Sequence, residues 1–190
     1  MNTAEFLTIT SAVAPEKEAV IFDGKRLTYT DLNSRSNKLA HALRGLGIGK
    51  GDPVGVMQVN CNEVIEAYFA CAKLGAIFVP FSYRLKADEL RQIANISEAS
   101  VVLAGLRYVP LVLELRDSLS RVKHLISFEG PAEGFVEYES FIARQPEEDV
   151  MEEVSDDDTT ILMFTAGTTG VPKGVMLTYN SVSSFSLNNV

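Results

Sequence analysis

The apolar residues of this chain switch repeatedly between the period of a strand and that of a helix, and this alternation limits the fold more than any other feature. Residues 18–23 and 26–29 read as two strands joined at Asp23-Gly24, a hairpin dipeptide. Thr30 is placed to cap a helix running to about residue 46, with Leu32, Ser36, Leu39, Ala40 and Leu43 along one face. A short apolar strand follows over 54–59. Asn62 is placed to cap a second helix, to residue 74, so apolar all round that it predicts burial. Strands over 77–81, 100–104 and 123–128 alternate with helices over 87–96 and 106–119. Strands separated by helices of this length pair in parallel through crossover units. The pattern predicts an α/β fold, a three-layer sandwich of mostly parallel strands flanked by helices.

The formal net charge is −8, and the excess sits in one place. Residues 147–158 hold eight acids and no base, which leaves 17 acids against 17 Lys and Arg elsewhere. No basic face is evident, so nucleic acid is not an expected partner. The acidic stretch reads as a solvated linker or surface loop between an α/β subdomain, 1–146, and a last part, 159–190. Cys61 and Cys71 are expected to be buried free thiols, which fits a reducing compartment, the cytoplasm. Residues 1–15 contain Glu5 and no basic leader, so no secretory signal is expected. The longest apolar run, 67–81, is broken by Lys73, Gly75 and Pro80, so no transmembrane segment is expected.

The stretch that carries chemistry is Thr165-Ala166-Gly167-Thr168-Thr169-Gly170-Val171-Pro172-Lys173-Gly174. An apolar strand over 160–164 precedes it; a strand over 174–177 and a helix from about 180 follow. Gly167 and Gly170 permit backbone geometries closed to other residues and a close approach to a ligand. Successive backbone N–H groups can then form an anion-binding concavity. Thr165, Thr168 and Thr169 add hydroxyls, and Lys173 adds a mobile positive charge. Two other phosphate motifs fail. A P-loop needs Gly-Lys followed by Ser or Thr, whereas Pro172 precedes Lys173 and Gly174 follows it. The glycine-rich stretch 45–51 follows a helix rather than a strand and reads as a helix stop.

Residues 165–174 closely resemble the phosphate-binding signature of the adenylate-forming (AMP-binding) superfamily: acyl-CoA synthetases, peptide-synthetase adenylation domains and luciferases. Ala166 stands where many members have Ser, which removes a hydroxyl but leaves the backbone cradle. Tyr179 stands where many acyl-CoA synthetases have His after Leu-Thr. Leu27-Thr28-Tyr29-Thr30-Asp31-Leu32, Gly51-Asp52-Pro53-Val54 and residues 73–80 also look familial. Residues 81–90 resemble the acyl-CoA synthetase version of the segment rather than the adenylation-domain version.

The resemblance implies the N-terminal portion of an acyl-CoA synthetase that activates a carboxylic, fatty acid with ATP and Mg²⁺ and transfers it to coenzyme A. It implies that Thr165, Ala166, Gly167, Thr168, Thr169, Gly170 and Lys173 bind the ATP phosphates. It also implies that 159–190 opens the next part of the same N-terminal domain, truncated at its end. No catalytic residue is expected within this segment, because the catalytic lysine and acyl pocket lie downstream in relatives; the segment alone is expected to be inactive. The alternatives are a peptide-synthetase-type adenylation domain and a non-catalytic binding module. His41 and His124 read as structural, no metal site is expected, and Asp88-Glu89 reads as a helix N-terminus.

Overall fold

A computed structural model describes residues 1–165 and 172–188. Among the described residues the helices are α1 (Ala4–Val13), α2 (Tyr29–Gly45), α3 (Asn62–Leu74), α4 (Ala87–Ser97), α5 (Val109–Leu115), α6 (Tyr138–Ile142) and α7 (Tyr179–Asn188). The expected hairpin is present as β1 (Glu18–Phe22) and β2 (Lys25–Thr28). The other strands are β3 (Pro53–Met57), β4 (Ile77–Pro80), β5 (Val101–Gly105), β6 (His124–Phe128), β7 (Val136–Glu137), β8 (Thr159–Thr165) and β9 (Lys173–Thr178). They form one sheet in the order β7-β6-β5-β3-β4-β8-β9. Every neighbouring pair is parallel except β8 and β9.

Alternation along the central strands builds two layers. Val54, Val56, Val101 and Leu103 face α2, α3 and α6; Met57, Val102 and Ala104 face α4 and α5. Burial on both faces accounts for the apolar runs of β3 and β5. Gly55 interrupts β3 because a Cβ there would stand 2.4 Å from the Phe81 ring. Among the described residues no helix is long and apolar enough to cross a membrane.

Several local expectations shift. Thr28, not Thr30, caps α2: its hydroxyl accepts from the Asp31 N–H at 3.1 Å, and Asp31 Oδ2 accepts from the Thr28 N–H at 2.9 Å. That reciprocal box satisfies two orphan donors, where Thr30 would satisfy none. Asn62 is the first residue of α3 rather than its cap. Its amide donates instead to buried Glu66 at 2.9 Å. The helix over 106–119 divides into α5 and flanking 3-10 turns. Gly75 ends α3 with φ +66°, the left-handed stop that glycine permits. Both cysteines are free and buried.

The acidic segment 147–158 is exposed for most of its length but is not loose. Lys38 holds Glu147 at 2.7 Å, Arg44 holds Glu152 at 2.7 Å and Lys50 holds Asp158 at 2.8 Å. The N-terminal ammonium pairs with Asp156. Buried Lys73 reaches Asp149 at 3.1 Å, and Val150 joins the core. The bases that meet these acids lie on α2, on α3 and in the turn after α2, far away in sequence. The segment is a strap across α2 and α3.

Burial alone would raise the Asp149 carboxyl, but hydrogen bonds from Asn37, Lys73 and Asn33 outweigh it and hold it below 3.8. Lys38 and Lys50 likewise hold Glu147 and Asp158 low. Carboxyls depressed in the folded state stabilise above their unfolded values, and that stability is lost as pH falls through the folded values. The thermal midpoint should therefore drop as pH falls below about 4, and Asp149→Asn should flatten the drop. Melts of both proteins followed by circular dichroism check this; parallel pH slopes contradict it.

Candidate functional site

The two limbs of the Gly/Thr loop are β8 and β9, and their register sets its mouth. Thr165 pairs with Lys173, and the Thr165 hydroxyl lies 3.5 Å from the Lys173 carbonyl. β9 runs from Lys173 itself, one residue earlier than the strand expected over 174–177. Ala166, Gly167, Thr168, Thr169 and Gly170 lie outside the described residues. Of the expected phosphate ligands, the structure thus places Thr165 and Lys173, opposite each other at the open end of the hairpin. Lys173 is exposed, and among the described residues it has no ion-pair partner. Gly174 follows because a Cβ there would meet Leu162 Cδ1 at 2.9 Å.

Sheet order puts this hairpin at a divergence. β8 lies parallel to β4, with Phe78 opposite Ile161, so both strands end on the same edge. The chain leaving β4 returns through α4 towards β5, while the chain leaving β8 turns outward to β9. Open α/β sheets bind ligands in such crevices at the carboxyl ends of strands. A cleft of about 300 Å³ lies there, lined by Pro80, Ser82, Arg84, Phe164, Thr165 and Pro172 among others. The exits of β3 and β5 diverge in the same way, but Gln58 closes that crevice. A Cβ on Gly105 would stand 2.3 Å from its amide nitrogen.

The cleft carries one cation, Arg84, and one anion, Glu89. Glu89 uses a carboxylate oxygen on the Lys86 N–H at 2.9 Å, capping α4. Arg84 lies 5.3 Å above the Tyr83 ring and donates to its hydroxyl at 3.2 Å, with no carboxylate partner among the described residues. Spacing in the sequence does not reveal that Ser82 and Arg84 share a cleft with Thr165 and Pro172, since only the adjacency of β4 and β8 brings them together. A larger cleft, about 420 Å³, sits at the opposite edge beside Pro53, Ser100 and His124. It lies at the amino ends of β3, β5 and β6, and an Arg121–Glu98 pair at 3.3 Å spans part of its wall. The smaller cleft beside the loop is therefore the candidate site.

The histidines lie elsewhere: His41 Nε2 is 3.1 Å from the Glu148 carbonyl, and His124 begins β6. Among the described residues no cluster of His, Cys, Asp and Glu is arranged to hold a metal.

The AMP-binding enzyme family matches residues 7–189, nearly the whole chain. The chain belongs to that family. It is 36% identical over 188 residues to a 3-oxocholest-4-en-26-oate–CoA ligase of Rhodococcus rhodochrous, covering 96% of this chain and 34% of that protein. It is 30% identical over 191 residues to an indoleacetate–CoA ligase of Aromatoleum aromaticum, covering 100% of this chain and 37% of that protein. Among solved structures, an anthranilate CoA ligase in complex with anthranoyl-AMP superimposes with a TM-score of 0.91 at 28% identity, covering 94% of this chain and 35% of that one. The chain thus spans about a third of the length of these members of the family. The family's fold and the mostly parallel sheet agree with the expectation from alternating periods.

Proposed function

We propose that this chain is the opening part of an ATP-dependent, AMP-forming acid–thiol ligase. Its carboxylic acid attacks the α-phosphorus of ATP, forming the acyl-O–P bond while the bond to the β-phosphate oxygen breaks. Pyrophosphate leaves, and the thiol of coenzyme A then displaces AMP from the acyl carbon. Such a reaction asks the protein mainly to align the two oxygens and to stabilise charge on the departing pyrophosphate. Backbone N–H groups of Gly167, Thr168, Thr169 and Gly170, with the hydroxyls of Thr165, Thr168 and Thr169, would hold the β- and γ-phosphates, Ala166 contributing backbone only. Lys173 would offset the charge that develops on them. Mg²⁺ would arrive with the phosphates and supply further charge neutralisation. Arg84, at the cleft wall, adds a second cation for a polyanionic substrate.

The observation that carries this reading is the hairpin that sets Thr165 against Lys173 at the carboxyl edge, beside an open cleft, in a chain that matches the AMP-binding family. A fatty acid is the substrate class we favour, since residues 81–90 resemble acyl-CoA synthetases. Residues 159–190 would open the second part of the same domain, with 147–158 joining the two. Free, buried thiols suit the cytoplasm.

Pyrophosphate exchange with a panel of fatty, aryl and amino acids tests the proposal. The longer protein containing this segment should exchange with fatty acids, and the 190-residue chain should not. Exchange only with amino acids would move the assignment to an adenylation domain; clear exchange by the 190-residue chain would overturn the division of labour.

A further inference from the structure

Tyr179 occupies the position after Leu-Thr where many relatives of the resembled class have His, and the phosphate-binding reading leaves it without a role. It is fully buried. Its hydroxyl donates to the Ala72 carbonyl of α3 at 3.2 Å, and its ring packs with Ala4, Ala72 and Val154. Its N–H donates to the Asp158 carbonyl at 3.0 Å, and the Asn180 N–H donates to the Asp156 carbonyl at 3.0 Å. One residue thus ties the end of β9 to α1, α3 and the strap, just where β8 begins, since Thr159 pairs with Thr178.

Tyr179 adds a tie at the root of the β8–β9 ladder, beside the other features that fix its register. Register is specified strongly where one face of a strand is buried and weakly where it is not. In the 190-residue chain Val175 and Met176 are 45% and 70% exposed, so burial does little to hold β9 in place there. A slip of one residue would send every β9 side chain to the other face. It would also press a side chain against Leu162, where even a Cβ on Gly174 comes within 2.9 Å. The pairing carries an irregularity between Thr159 and Ile161, at the same root of the hairpin. Irregularities of this kind pin register.

We infer that Tyr179 is a positioning residue that sets the register of β9 and so carries Lys173 to its place opposite Thr165. The inference rests on the phosphate-binding role proposed for Lys173. The test uses Tyr179→Ala and Tyr179→Phe in the full-length ligase, each alone and combined with Lys173→Ala. Tyr179→Ala should lower kcat for pyrophosphate exchange by at least about tenfold with little change in the acid KM. In the Lys173→Ala background the same change should cost less than about twofold, because the two residues act as one unit. Tyr179→Phe keeps the packed ring and should retain most of the activity. If the Ala variant is too unstable to purify, Tyr179→Leu replaces it with the same expectation. A folded Ala variant with native kcat, or a fully additive double variant, overturns the inference.

Amide exchange in the 190-residue chain supplies an arm independent of catalysis. Protection along the β8–β9 ladder should fall in Tyr179→Ala and persist in Tyr179→Phe; equal protection in both overturns the register claim. If Lys173→Ala alone leaves kcat unchanged, the phosphate-binding reading fails, and this exchange measurement decides the register claim by itself.

Discussion

If the proposed ligase activity holds, Lys173→Ala in the longer protein that contains this segment should lower kcat by roughly 30- to 1,000-fold while leaving the KM for the acid nearly unchanged. The expectation follows from where the charge is and when it matters. Lys173 is exposed at the mouth of the hairpin and has no ion-pair partner among the described residues. The ground state of bound ATP already carries its negative charge, and the charge on the departing pyrophosphate grows as the α–β bond breaks. A cation aimed at the leaving group is therefore worth most in the transition state, about 2–4 kcal/mol. Binding of the acid, at the far side of the α-phosphorus, does not draw on it. Steady-state kinetics at saturating ATP separate the two parameters; a raised KM with an unchanged kcat would assign Lys173 to uniform binding instead.

The second large effect falls on stability. Glu66 is fully buried on α3 and accepts from three groups: Arg35 Nε at 2.9 Å, the Asn62 amide at 2.9 Å and the Tyr138 hydroxyl at 2.6 Å. It joins α2, α3 and α6 through one carboxylate. Burial works against the Arg35 cation, but its bonds to Glu139 and Glu66 outweigh burial and raise its pKa. Burial, together with the charge of Glu66, pushes the Tyr138 phenol well above its usual value. Glu66→Ala would leave the largely buried guanidinium, a buried phenol and a buried amide short of a partner. Breaking a buried ion pair from one side costs about 3–5 kcal/mol. For a chain of this size that lowers the melting midpoint by roughly 10 °C. Glu139→Ala, which removes the exposed partner of the same arginine, should cost less than about 1 kcal/mol. Calorimetric melts of the two variants compare them directly; a Glu66→Ala midpoint close to that of Glu139→Ala would show that the network is not a buried charge centre.

The parts of the fold legible in the sequence are those where local pattern and burial agree. β3, β5 and β6 are apolar because both their faces are covered, and α3 is apolar nearly all round because it lies between the sheet and α1 and α2. Helix α1 is not legible: Ala4–Val13 is rich in Thr and Ser and has a weak apolar face, and it forms because Ala4 and Leu7 pack against the rest. The unit of β7 and α6 is too short to show a period. Tyr138 anchors it through Glu66 and an edge contact with Phe128 at 5.2 Å, partners that only the folded chain supplies. The acids of 147–158 look solvated because nothing local opposes them, and their bases lie at Lys38, Arg44, Lys50 and Lys73. At the site, the glycines and hydroxyls of the loop are compatible with an anion cradle, and the resemblance of residues 165–174 to the superfamily signature, rather than residue types alone, turns that into the proposed phosphate-binding role. The wall formed by Ser82 and Arg84 is not legible, because it depends on β4 lying beside β8.

The most direct measurement is a crystal structure of the full-length ligase with Mg²⁺ and a non-hydrolysable ATP analogue. The β- and γ-phosphates should lie between the Thr165 hydroxyl and the Lys173 ammonium group, within hydrogen-bond reach of the 167–170 backbone. A nucleotide bound at another edge of the sheet, with the Thr165–Lys173 turn bare, would contradict the phosphate-binding role.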